Sequence, residues 1–454
     1  MDRAPGVDGS GPAIPEEVEQ LLNVLWRAGH AAYVVGGSLR DSLLGRQAAD
    51  WDLATDARPP QLQALFPGAV YENQFGTVAV RRGQATYEIT TFRTDHDYAD
   101  FRRPHHVEFG DSIELDLARR DFTVNAMAWG APAASRPALF DPFDGRADID
   151  SRLLRAVGNP DERFQEDALR MIRAVRLAAT LEFEIEPATL TAIERHARLV
   201  QHLSGERVAA ELDKLLAAPL PSVGLRLMAD TGILGQVSRD LASQHGVAQN
   251  KIEGEDLWQH TLRAVDAAPV DRPIVRLAAL LHDIGKPQTA ADGHFYGHER
   301  VGAELADAFL TRLHYPRAVV ERVVELVRQH MFLYESEWTD TAIRRFIAKV
   351  GVPVLDDLFE LRRADNVGSG RPPDAAGLDE LRGRVESQLA ARVALDRSGL
   401  AIDGEDLIRE LGLQEGPRIG VLLDALLERV MTDPALNDRP TLLLIARSLV
   451  EEPG

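Results

Sequence analysis

Residues 33–56, YVVGGSLRDSLLGRQAADWDLATD, decide the fold of the N-terminal part of this chain. The apolar run Tyr33–Val35 predicts a short buried strand, and the segment Ser38–Leu44 predicts a helix whose first residue is the N-cap. Gly36 and Gly37 lie between them, and because neither carries a Cβ atom, their backbone can approach a ligand closely. A strand, a glycine turn and a helix N-terminus together predict an anion site made of backbone N–H groups and the helix dipole.

Charged side chains after this turn indicate what the anion is. Arg40 lies in the first helical turn, within reach of a phosphate. If Asp50 and Asp52 share a strand, they face the same side, and their carboxylates repel each other unless a cation lies between them. Mg²⁺ is usually bound by one or two carboxylates together with substrate phosphates. A lone D-x-D is common on solvated loops and a lone Gly-Gly is usually a turn, but the joint pattern predicts metal-dependent nucleotidyl transfer.

The joint pattern GGSLRD…DWDLATD resembles the signature of polymerase-β-like nucleotidyltransferases, and more closely that of the bacterial class II tRNA CCA-adding and poly(A) polymerase family. The resemblance extends over nearly the whole chain. It implies an α/β head with a small mixed sheet, Mg²⁺ at Asp50 and Asp52, and a nucleoside triphosphate at Gly36, Gly37 and Arg40. It also implies tRNA as the partner and CTP and ATP as the substrates.

The composition sets wider bounds. The chain has 454 residues, 45% of them hydrophobic, which is enough for several cores and about three domains. It has no cysteine, so it has no disulfide framework, thiol nucleophile or cysteine zinc site. A net charge of −20 argues against bulk electrostatic adhesion to nucleic acid but is compatible with a local basic face. Residues 1–14 predict a flexible tail rather than a signal peptide, and no apolar run could span a bilayer, so we expect a cytoplasmic protein.

Two short β-type runs, Thr77–Arg81 and Thr86–Phe92, add strands to the predicted head. Glu88 lies in the second run. A third carboxylate on a neighbouring strand often completes a metal site of this kind, so Glu88 is the predicted third catalytic carboxylate. A half-buried strand glutamate paired with an arginine is the alternative, and the sequence favours neither.

Residues 93–109, RTDHDYADFRRPHHVEF, are polar, charged and aromatic without a clean period, and they predict a mobile loop that carries Arg102 and Arg103. An ordinary surface loop is the alternative. In the family that the chain resembles, the RTD…Y.D.RRP element is a flexible loop associated with addition of the final adenosine, and enzymes that add only CC lack it. The resemblance therefore favours addition of CCA, or of A, over addition of CC alone.

The segment 117–129, LARRDFTVNAMAW, is similar to the RRDFT.NA motif of the same family. In that family the arginine before the aspartate touches the nucleotide, which implies this role for Arg120. Asp121 is predicted to hold either a ribose hydroxyl or the arginine itself.

The segment 163–176, RFQEDALRMIRAVR, is apolar-periodic and predicts one helix. Charged side chains spaced by three lie along one slowly drifting face of it: Asp167, Arg170, Arg173 and Arg176. One interpretation is a solvated face with ion pairs. The other is a recognition helix, in which the first two read a base and the last two reach phosphates. Residues 166–170 resemble the family's EDxxR motif, whose Asp and Arg read C or A without a nucleic-acid template.

The middle third of the chain is marked by histidine and aspartate. Four residues match the ligand pattern of the HD phosphohydrolase superfamily, and two more stand where two-metal members have further ligands: His260, His282, Asp283 and Asp365, then His298 and His330. Both residue types are good ligands for a divalent cation. The resemblance implies an all-α domain, a divalent transition metal and a metal-activated water that attacks a phosphate ester. An HD domain that survives as a scaffold is the alternative.

Five segments are therefore expected: a flexible tail (1–14), the nucleotidyltransferase head (15–155), a helical RNA-binding neck (156–250), an HD domain (251–370) and a helical tRNA-contacting tail (371–454). The predicted reaction is template-independent addition of C, C and A to the tRNA 3′ end, with an HD phosphohydrolase side activity. A poly(A) polymerase is one alternative. An HD phosphohydrolase whose head only binds RNA is another, and the intact D-x-D pair argues against it. The sequence does not fix the oligomeric state.

Overall fold

The computed structural model describes residues 11–48, 50–71, 76–98, 104–249 and 251–451. The chain divides into two compact units, Met1–Ala242 and Ser243–Gly454. Within the described ranges, no helix is both long and apolar enough to cross a membrane. Most of the expected tail lies outside the described residues, as do Arg102 and Arg103.

The first unit contains the mixed sheet that the sequence predicts. Its described strands are β1 (Ala32–Val35), β2 (Asp52–Thr55), β3 (Val70–Tyr71), β4 (Thr77–Arg82), β5 (Ala85–Thr91), β6 (Arg93–Tyr98), β7 (Pro104–Phe109), β8 (Ala128–Ala131), β9 (Ala138–Phe140), β10 (Leu153–Leu154) and β11 (Glu184–Ile185). Seven of these described strands form one sheet in the order β3-β4-β5-β2-β1-β8-β9. β2 and β5 run parallel, and the other neighbours run antiparallel. All four residues of β1 are buried, which explains its apolar sequence.

Helices surround this sheet and continue beyond it. Those described in the first unit are α1 (Glu16–Arg27), α2 (Gly36–Leu43), α3 (Pro59–Leu65), α4 (Ile113–Ala118), α5 (Gly145–Asp150), α6 (Pro160–Glu166), α7 (Leu169–Leu181), α8 (Pro187–His196), α9 (Gly205–Leu216), α10 (Pro221–Asp230), α11 (Ile233–Val237) and α12 (Arg239–Ala242). α1 shows why such segments fold as helices, since its buried residues recur at helical spacing: Val18, Leu21, Leu22 and Leu25.

The start of α2 differs from the prediction. The helix begins at Gly36, preceded by Val35 in an extended conformation, and no side chain caps it. The Ser38 hydroxyl instead donates to the Val35 carbonyl at 3.1 Å and accepts from the Asp52 N–H at 3.4 Å. The predicted cap is therefore wrong, and Ser38 ties the start of α2 to the start of β2.

The prediction of one helix over residues 163–176 is also wrong. α6 ends at Glu166, Asp167 is extended with φ −147° and ψ 105°, and α7 begins at Leu169. The Asp167 carboxylate accepts from the Leu169 N–H at 3.1 Å. This bond satisfies an N–H group that has no partner inside the helix, so the aspartate stabilises the start of a new helix.

Residues 93–109 are not an irregular loop over their described part. β6 and β7 pair as an antiparallel hairpin, with Arg93 opposite Phe109 and His96 opposite His106. The sequence of this ribbon is polar along both strands, so it lacks the apolar alternation that marks a strand with one buried face. Its predicted mobility stays a prediction, and its tip lies outside the described residues.

The second unit is helical, as the resemblance to an all-α domain implies. Its described helices are α13 (Leu257–Ala267), α14 (Pro273–Leu281), α15 (Lys286–Thr289), α16 (His298–Arg312), α17 (Arg317–Gln329), α18 (Asp340–Val350), α19 (Val352–Gly368), α20 (Leu378–Ala390), α21 (Gly404–Leu411), α22 (Pro417–Thr432) and α23 (Arg439–Glu451). Every residue of α14 from Val275 to Leu281 is buried. The last three helices share a hydrophobic core that includes Leu407, Leu426 and Leu442.

Candidate active site and metal centre

The head carboxylates meet at the parallel pair of strands. Asp52 is the first residue of β2 and lies directly opposite Glu88 of β5 in the register. Because residues in register on neighbouring strands point to the same face, both carboxylates lie on one side of the sheet. Asp50 lies outside the strand, two residues before Asp52, and all three residues are exposed. The arrangement offers a set of oxygen ligands that is open to solvent.

The raised pKa of Asp52 is consistent with a site that binds a cation. Desolvation by the surrounding protein raises the pKa of the Asp52 carboxyl above its usual value. Arg120 opposes this shift, and the nearby Asp50 carboxylate adds to it. A divalent cation between the two aspartates would remove this repulsion and keep both ionised.

Gly36 closes one side of this cleft. Its φ is +75°, a conformation that favours glycine. A Cβ atom at this position would lie 3.0 Å from Arg120 Nη1 and 3.5 Å from Asp52 Oδ2. The glycine therefore lets the backbone turn between the guanidinium and the carboxylate, and the predicted approach of this turn to a ligand stays a prediction.

Asp116 orients the arginines of the cleft, and the sequence analysis missed it. Its carboxylate is 1% exposed and accepts from Arg119 Nη2 at 2.6 Å and from Arg120 Nη2 at 3.1 Å. Burial alone would raise the pKa of Asp116, but the two guanidinium groups outweigh it and lower this pKa. The signal was available, because an aspartate three and four residues before an arginine pair lies on their side of a helix.

A small cavity lies beside these groups. Its volume is about 200 Å³, and its charged lining residues are Asp52, Arg93, Asp116, Arg119 and Arg120. Among the described residues, the buried Nε of Arg120 has no hydrogen-bond partner. The cavity thus combines a candidate metal ligand with three arginine side chains, which suits a phosphate-bearing ligand.

Arg40 is not turned towards solvent. It is 8% exposed, donates to Asn125 Oδ1 at 2.6 Å and holds Asp41 Oδ1 through Nε and Nη2. Asn125 in turn donates to Asp121 Oδ1 at 3.1 Å. The role of Arg40 at a phosphate therefore stays a prediction, and in this structure the residue joins α2 to the loop that carries Asp121.

Asp121 holds an arginine, but not Arg120. Its Oδ2 accepts from Arg173 Nε at 2.8 Å, whereas Arg120 is held by Asp116. Burial would raise the pKa of Asp121, but Arg173 and Asn125 lower it far below its usual value. The predicted pairing of Asp121 with Arg120 is therefore wrong, and its predicted role at a ribose hydroxyl stays a prediction.

The two predicted base-reading residues have protein partners. Asp167 Oδ2 accepts from Arg207 Nη2 of α9 at 2.7 Å. Arg170 donates to Glu166 Oε2 at 2.8 Å and to the Arg119 carbonyl at 2.9 Å. Arg207 was not predicted to contact Asp167, because no local pattern links residues forty positions apart.

Arg173 and Arg176 both meet Glu211 of α9. Arg176 Nε donates to Glu211 Oε2 at 2.6 Å, and Arg173 Nη1 lies 3.8 Å from Glu211 Oε1. Glu211 is 3% exposed and was not predicted as a partner. The predicted phosphate contacts of the two arginines stay predictions, since each guanidinium has a carboxylate neighbour here.

The six residues predicted for the HD centre come from distant parts of the second unit and meet in one buried cluster. His260 lies in α13, His282 and Asp283 follow α14, His298 begins α16, His330 follows α17 and Asp365 lies in α19. None of the six is more than 6% exposed. Sequence spacing alone could not show this, but the resemblance to the HD pattern anticipated it.

Asp283 divides the cluster into two ligand sets. Its Oδ2 lies 3.2 Å from Nε2 of His260 and 3.2 Å from Nε2 of His282. Its Oδ1 lies 3.3 Å from Nε2 of His298 and 3.6 Å from Nε2 of His330. Each set offers converging ligand atoms for a metal ion. Asp365 Oδ1 lies 3.3 Å from His260 Nε2, so it belongs with the first set.

Backbone carbonyls fix three of the histidine rings. Nδ1 of His282, His298 and His330 lies 2.8, 2.7 and 2.7 Å from the carbonyl oxygens of Ala279, Phe295 and Val327, respectively. Only a protonated Nδ1 can donate to a carbonyl, so each neutral ring presents a bare Nε2 to the cluster. In this tautomer Nε2 is free to bind a metal ion.

The turn after Asp283 requires glycine for a close approach. A Cβ atom on Gly285 would lie 2.3 Å from the His298 carbonyl oxygen and 2.6 Å from the Gly302 nitrogen. Lys286 then donates to Asp283 Oδ2 at 2.6 Å. Although burial alone would raise the pKa of Asp283, the charge of Lys286 helps to hold it well below its usual value. The shared ligand is therefore ionised.

Sequence models of known families match three parts of the chain. Residues 32–155 match the "Poly A polymerase head domain". Residues 182–244 match the "Probable RNA and SrmB-binding site of polymerase A". Residues 236–370 match the "HD domain".

Curated relatives are similar over almost the full length. The CCA-adding enzyme of Geobacillus kaustophilus is 35% identical over 434 residues, which cover 93% of this chain and 94% of the relative. The CCA-adding enzyme of Streptococcus suis is 33% identical and covers 96% and 98%.

Solved structures of CCA-adding enzymes are also similar to this chain. The Bacillus stearothermophilus CCA-adding enzyme in complex with CTP is 30% identical, with a TM-score of 0.72 over 96% of this chain and 99% of that one. The Thermotoga maritima CCA-adding enzyme complexed with tRNA_CCA, at 20% identity and a TM-score of 0.60 over 96% and 97% of the two chains, shares the fold. Because the curated relatives are 35% and 33% identical to this chain and match 93% and 96% of its length, this chain belongs to the CCA-adding enzyme family.

Proposed function

We propose that this chain adds C, C and A to the 3′ end of tRNA, using CTP and ATP and no nucleic-acid template. The observation that carries the proposal is the register of β2 and β5, which sets Asp52 beside Glu88 at a cleft bounded by Gly36 and Arg120. Relatives named CCA-adding enzymes match the chain over nearly its whole length, and one was solved with CTP.

Asp50, Asp52 and Glu88 are the residues that would hold Mg²⁺, and their carboxylate oxygens are the ligands that this ion prefers. When bound, Mg²⁺ lowers the pKa of an attacking hydroxyl and stabilises the charge of a triphosphate leaving group. The nucleophile is the 3′ hydroxyl of the tRNA, so no covalent intermediate on the protein is needed. Gly36 and Gly37 let the backbone N–H groups at the start of α2 approach the triphosphate.

Arg120 compensates the charge of the nucleotide, and Asp116 keeps its guanidinium oriented. The unused Nε of Arg120 is the donor that a nucleotide oxygen would satisfy. A chain of hydrogen bonds stabilises the residues next to Arg120. Arg40 donates to Asn125, Asn125 donates to Asp121, and Arg173 also donates to Asp121.

Asp167 and Arg170 select the base. C and A both present an exocyclic amine that donates hydrogen bonds, whereas U and G carry a carbonyl oxygen in that place. A carboxylate accepts from the amine and repels the carbonyl, and the guanidinium donates to a ring nitrogen. Wrong bases leave these groups unpaired, which costs binding energy. Arg173 and Arg176 have two proposed roles. They would either hold α7 against α9 through Glu211, or leave Glu211 and bind phosphates.

A second activity is supported by the HD centre. Two ligand sets share Asp283 and hold bare Nε2 atoms together, which fits a pair of divalent transition-metal ions. When bound, such ions would lower the pKa of a water molecule, which is the chemistry needed to hydrolyse a phosphate ester. We assign this centre a metal-dependent phosphohydrolase side activity, to be tested by hydrolysis of phosphate monoesters with Mn²⁺, Co²⁺ or Ni²⁺.

Four of the five segments expected from the sequence carry these roles: a head that reacts, a neck that carries the reading residues, an HD domain and a helical tail that contacts tRNA. A poly(A) polymerase would share the head but would accept ATP alone and add many residues. Since tRNA is the substrate, we place the reaction in the cytoplasm.

Extension of a tRNA transcript that lacks its 3′ CCA tests the proposal. The transcript is incubated with Mg²⁺ and CTP, ATP or both. We expect two C residues from CTP alone and one further A when ATP is added. A long A ladder from ATP alone would indicate a poly(A) polymerase, and no extension would refute the head mechanism.

A further inference from the structure

Beside the HD centre lies a cavity that the functions above do not use. Its volume is about 600 Å³, and described residues between Gly246 and Asp256, in the loop that precedes α13, line it. Two lining side chains extend from the cavity to the centre. Gln249 Oε1 accepts from Lys286 Nζ at 3.4 Å, and Lys251 reaches the ligand atoms themselves. Two side chains that line the cavity thus contact residues of the centre.

The Lys251 ammonium lies against the first ligand set. Its Nζ lies 3.3 Å from His260 Nε2 and 3.4 Å from Asp365 Oδ1, and 4.0 Å from Asp283 Oδ2. These three atoms belong to the first ligand set. A divalent cation bound by them cannot share these contacts with an ammonium group, because two positive charges at this separation repel strongly. Metal binding must therefore move Lys251.

The cavity offers the displaced side chain a place and a task. Lys251 itself lines the cavity, its side chain is 28% exposed, and its flexible stem carries three donors that can rotate. Gln249 is 8% exposed, and among the described residues its buried Nε2 has no hydrogen-bond partner. Buried donors rarely stay unpaired. Gln249 and Lys251 both line the cavity, and an N–H group without a partner next to an ammonium group suits an anion.

Carboxylates also line the cavity, and most are already used. Asp256 accepts from the Gly246 and Gln259 N–H groups at 2.8 and 2.9 Å. Glu255 forms an ion pair with Arg263. Glu253 remains exposed at the rim, where its charge weakens anion binding but does not block it.

We propose that Lys251 has two positions: without metal it is the counter-ion of the first ligand set, and with metal it binds the phosphoryl group of a phosphate monoester in the cavity, together with Gln249. The assignment rests on the metal centre proposed above. It predicts that one residue opposes metal binding and favours phosphate binding. A residue with a merely structural role would favour both or neither.

The test uses the full chain with Asp52→Ala, which removes head metal binding, after chelator treatment. Co²⁺ is titrated and followed by its visible absorption in the parent, in Lys251→Met and in Lys349→Met, a control on the exposed face of α18. We expect Lys251→Met to bind Co²⁺ at least about tenfold more tightly, since a competing charge is gone. The control should match the parent.

Inorganic phosphate is then titrated into the Co²⁺-loaded proteins by calorimetry. We expect phosphate to bind about tenfold more weakly to Lys251→Met. Gln249→Leu should weaken phosphate about threefold and leave Co²⁺ affinity unchanged. Lys251→Arg keeps the charge and should keep phosphate binding, which guards against a misfolded Met variant.

The outcomes separate the two claims. Tighter Co²⁺ with weaker phosphate in Lys251→Met supports the proposal. Unchanged Co²⁺ affinity, or weaker binding of both ligands, overturns it while the metal centre stands. No Co²⁺ binding by any variant overturns the metal centre and the role of Lys251 with it.

Discussion

The two candidate metal sites of this chain are built in opposite ways. In the head, Asp50, Asp52 and Glu88 are exposed, and the nearby arginines already have carboxylate partners. In the HD centre, every candidate ligand is buried, and two histidine pairs share one ionised carboxylate, Asp283. The open carboxylates of the head therefore suit a cation that binds together with a charged nucleotide. The HD centre is prepared for ions that reside in the protein.

The largest expected effect breaks the head and spares the HD centre. Asp52→Asn removes a charged ligand from the sheet edge, so we expect the rate of C addition to fall at least about thousandfold. The Co²⁺ capacity of the HD centre should not change. Asp150→Asn, an exposed residue of α5, is the matched control. Substantial addition by Asp52→Asn would mean that the head reacts without this ligand.

The reciprocal change breaks the HD centre and spares the head. Asp283→Asn weakens both ligand sets at once, because each of its oxygens serves one histidine pair. We expect transition-metal content, measured by mass spectrometry after dialysis, to drop to background. CCA addition should stay within about twofold of the parent. A parallel loss of addition would show that the two sites do not act independently.

A matched pair of glycines sharpens the description of the open site. Gly36 and Gly45 have φ of +75° and +68°, so alanine strains the backbone at both by about 1–2 kcal/mol. Only at Gly36 does a Cβ approach Arg120 and Asp52; at Gly45 nothing lies within 4 Å. We expect kcat/KM for CTP to fall about tenfold or more in Gly36→Ala and to persist in Gly45→Ala. Equal losses would reduce the role of Gly36 to backbone strain.

The contact between Arg207 and Asp167 adds to the comparison. The carboxylate that is proposed to read the base already has a protein partner before substrate binds. Arg207→Ala leaves Asp167 Oδ2 without its partner at 2.7 Å. We expect the ratio of kcat/KM for CTP over UTP to fall about tenfold, since a loosely held carboxylate discriminates less. The exposed Arg226→Ala serves as the control. A lower stability with an unchanged ratio would contradict a positioning role.

The smallest effect concerns stability and pH. Arg119 and Arg120 lower the pKa of Asp116 below the unfolded value of about 3.9. The contribution of ionised Asp116 to the free energy of unfolding is therefore complete above the pKa of the unfolded state. It is lost as the pH falls through the pKa of the folded state. At pH 7, the free energy of unfolding of Asp116→Asn, measured in urea, should be about 1–3 kcal/mol lower than that of the parent. This difference should narrow below about pH 4. A gap that is independent of pH would refute the ion pair.

Local sequence patterns predicted the parts that depend on neighbours in the chain. The strand before Gly36 and the strands β4 and β5 follow from apolar and β-branched runs bounded by glycine. The register of Asp52 with Glu88 is consistent with the metal-site alternative for Glu88, although a strand position alone could not decide it. The gathering of the HD residues came from the resemblance and not from periodicity, since five helices bring them together.

Pairs between distant residues were not predictable. Arg207 and Glu211 each neutralise a charge that the sequence analysis assigned to a ligand, and each lies on a different element from its partner. The break at Asp167 escaped because apolar periodicity continues through α6 and α7. There, a side-chain bond to the Leu169 N–H outweighs the preference for a longer helix.

Metal rescue at Asp52 is the most direct test of the central claim, that the head carboxylates hold the ion for CCA addition. The chain has no cysteine, so Asp52→Cys introduces a single thiol whose softness favours Cd²⁺ over Mg²⁺. The same measurement in the Asp283→Asn background removes any contribution of the HD centre. We predict no extension of the tRNA transcript with Mg²⁺ alone and restored addition of C, C and A when Cd²⁺ is added. Full activity with Mg²⁺ alone, or a folded variant that no thiophilic ion restores, would contradict the account.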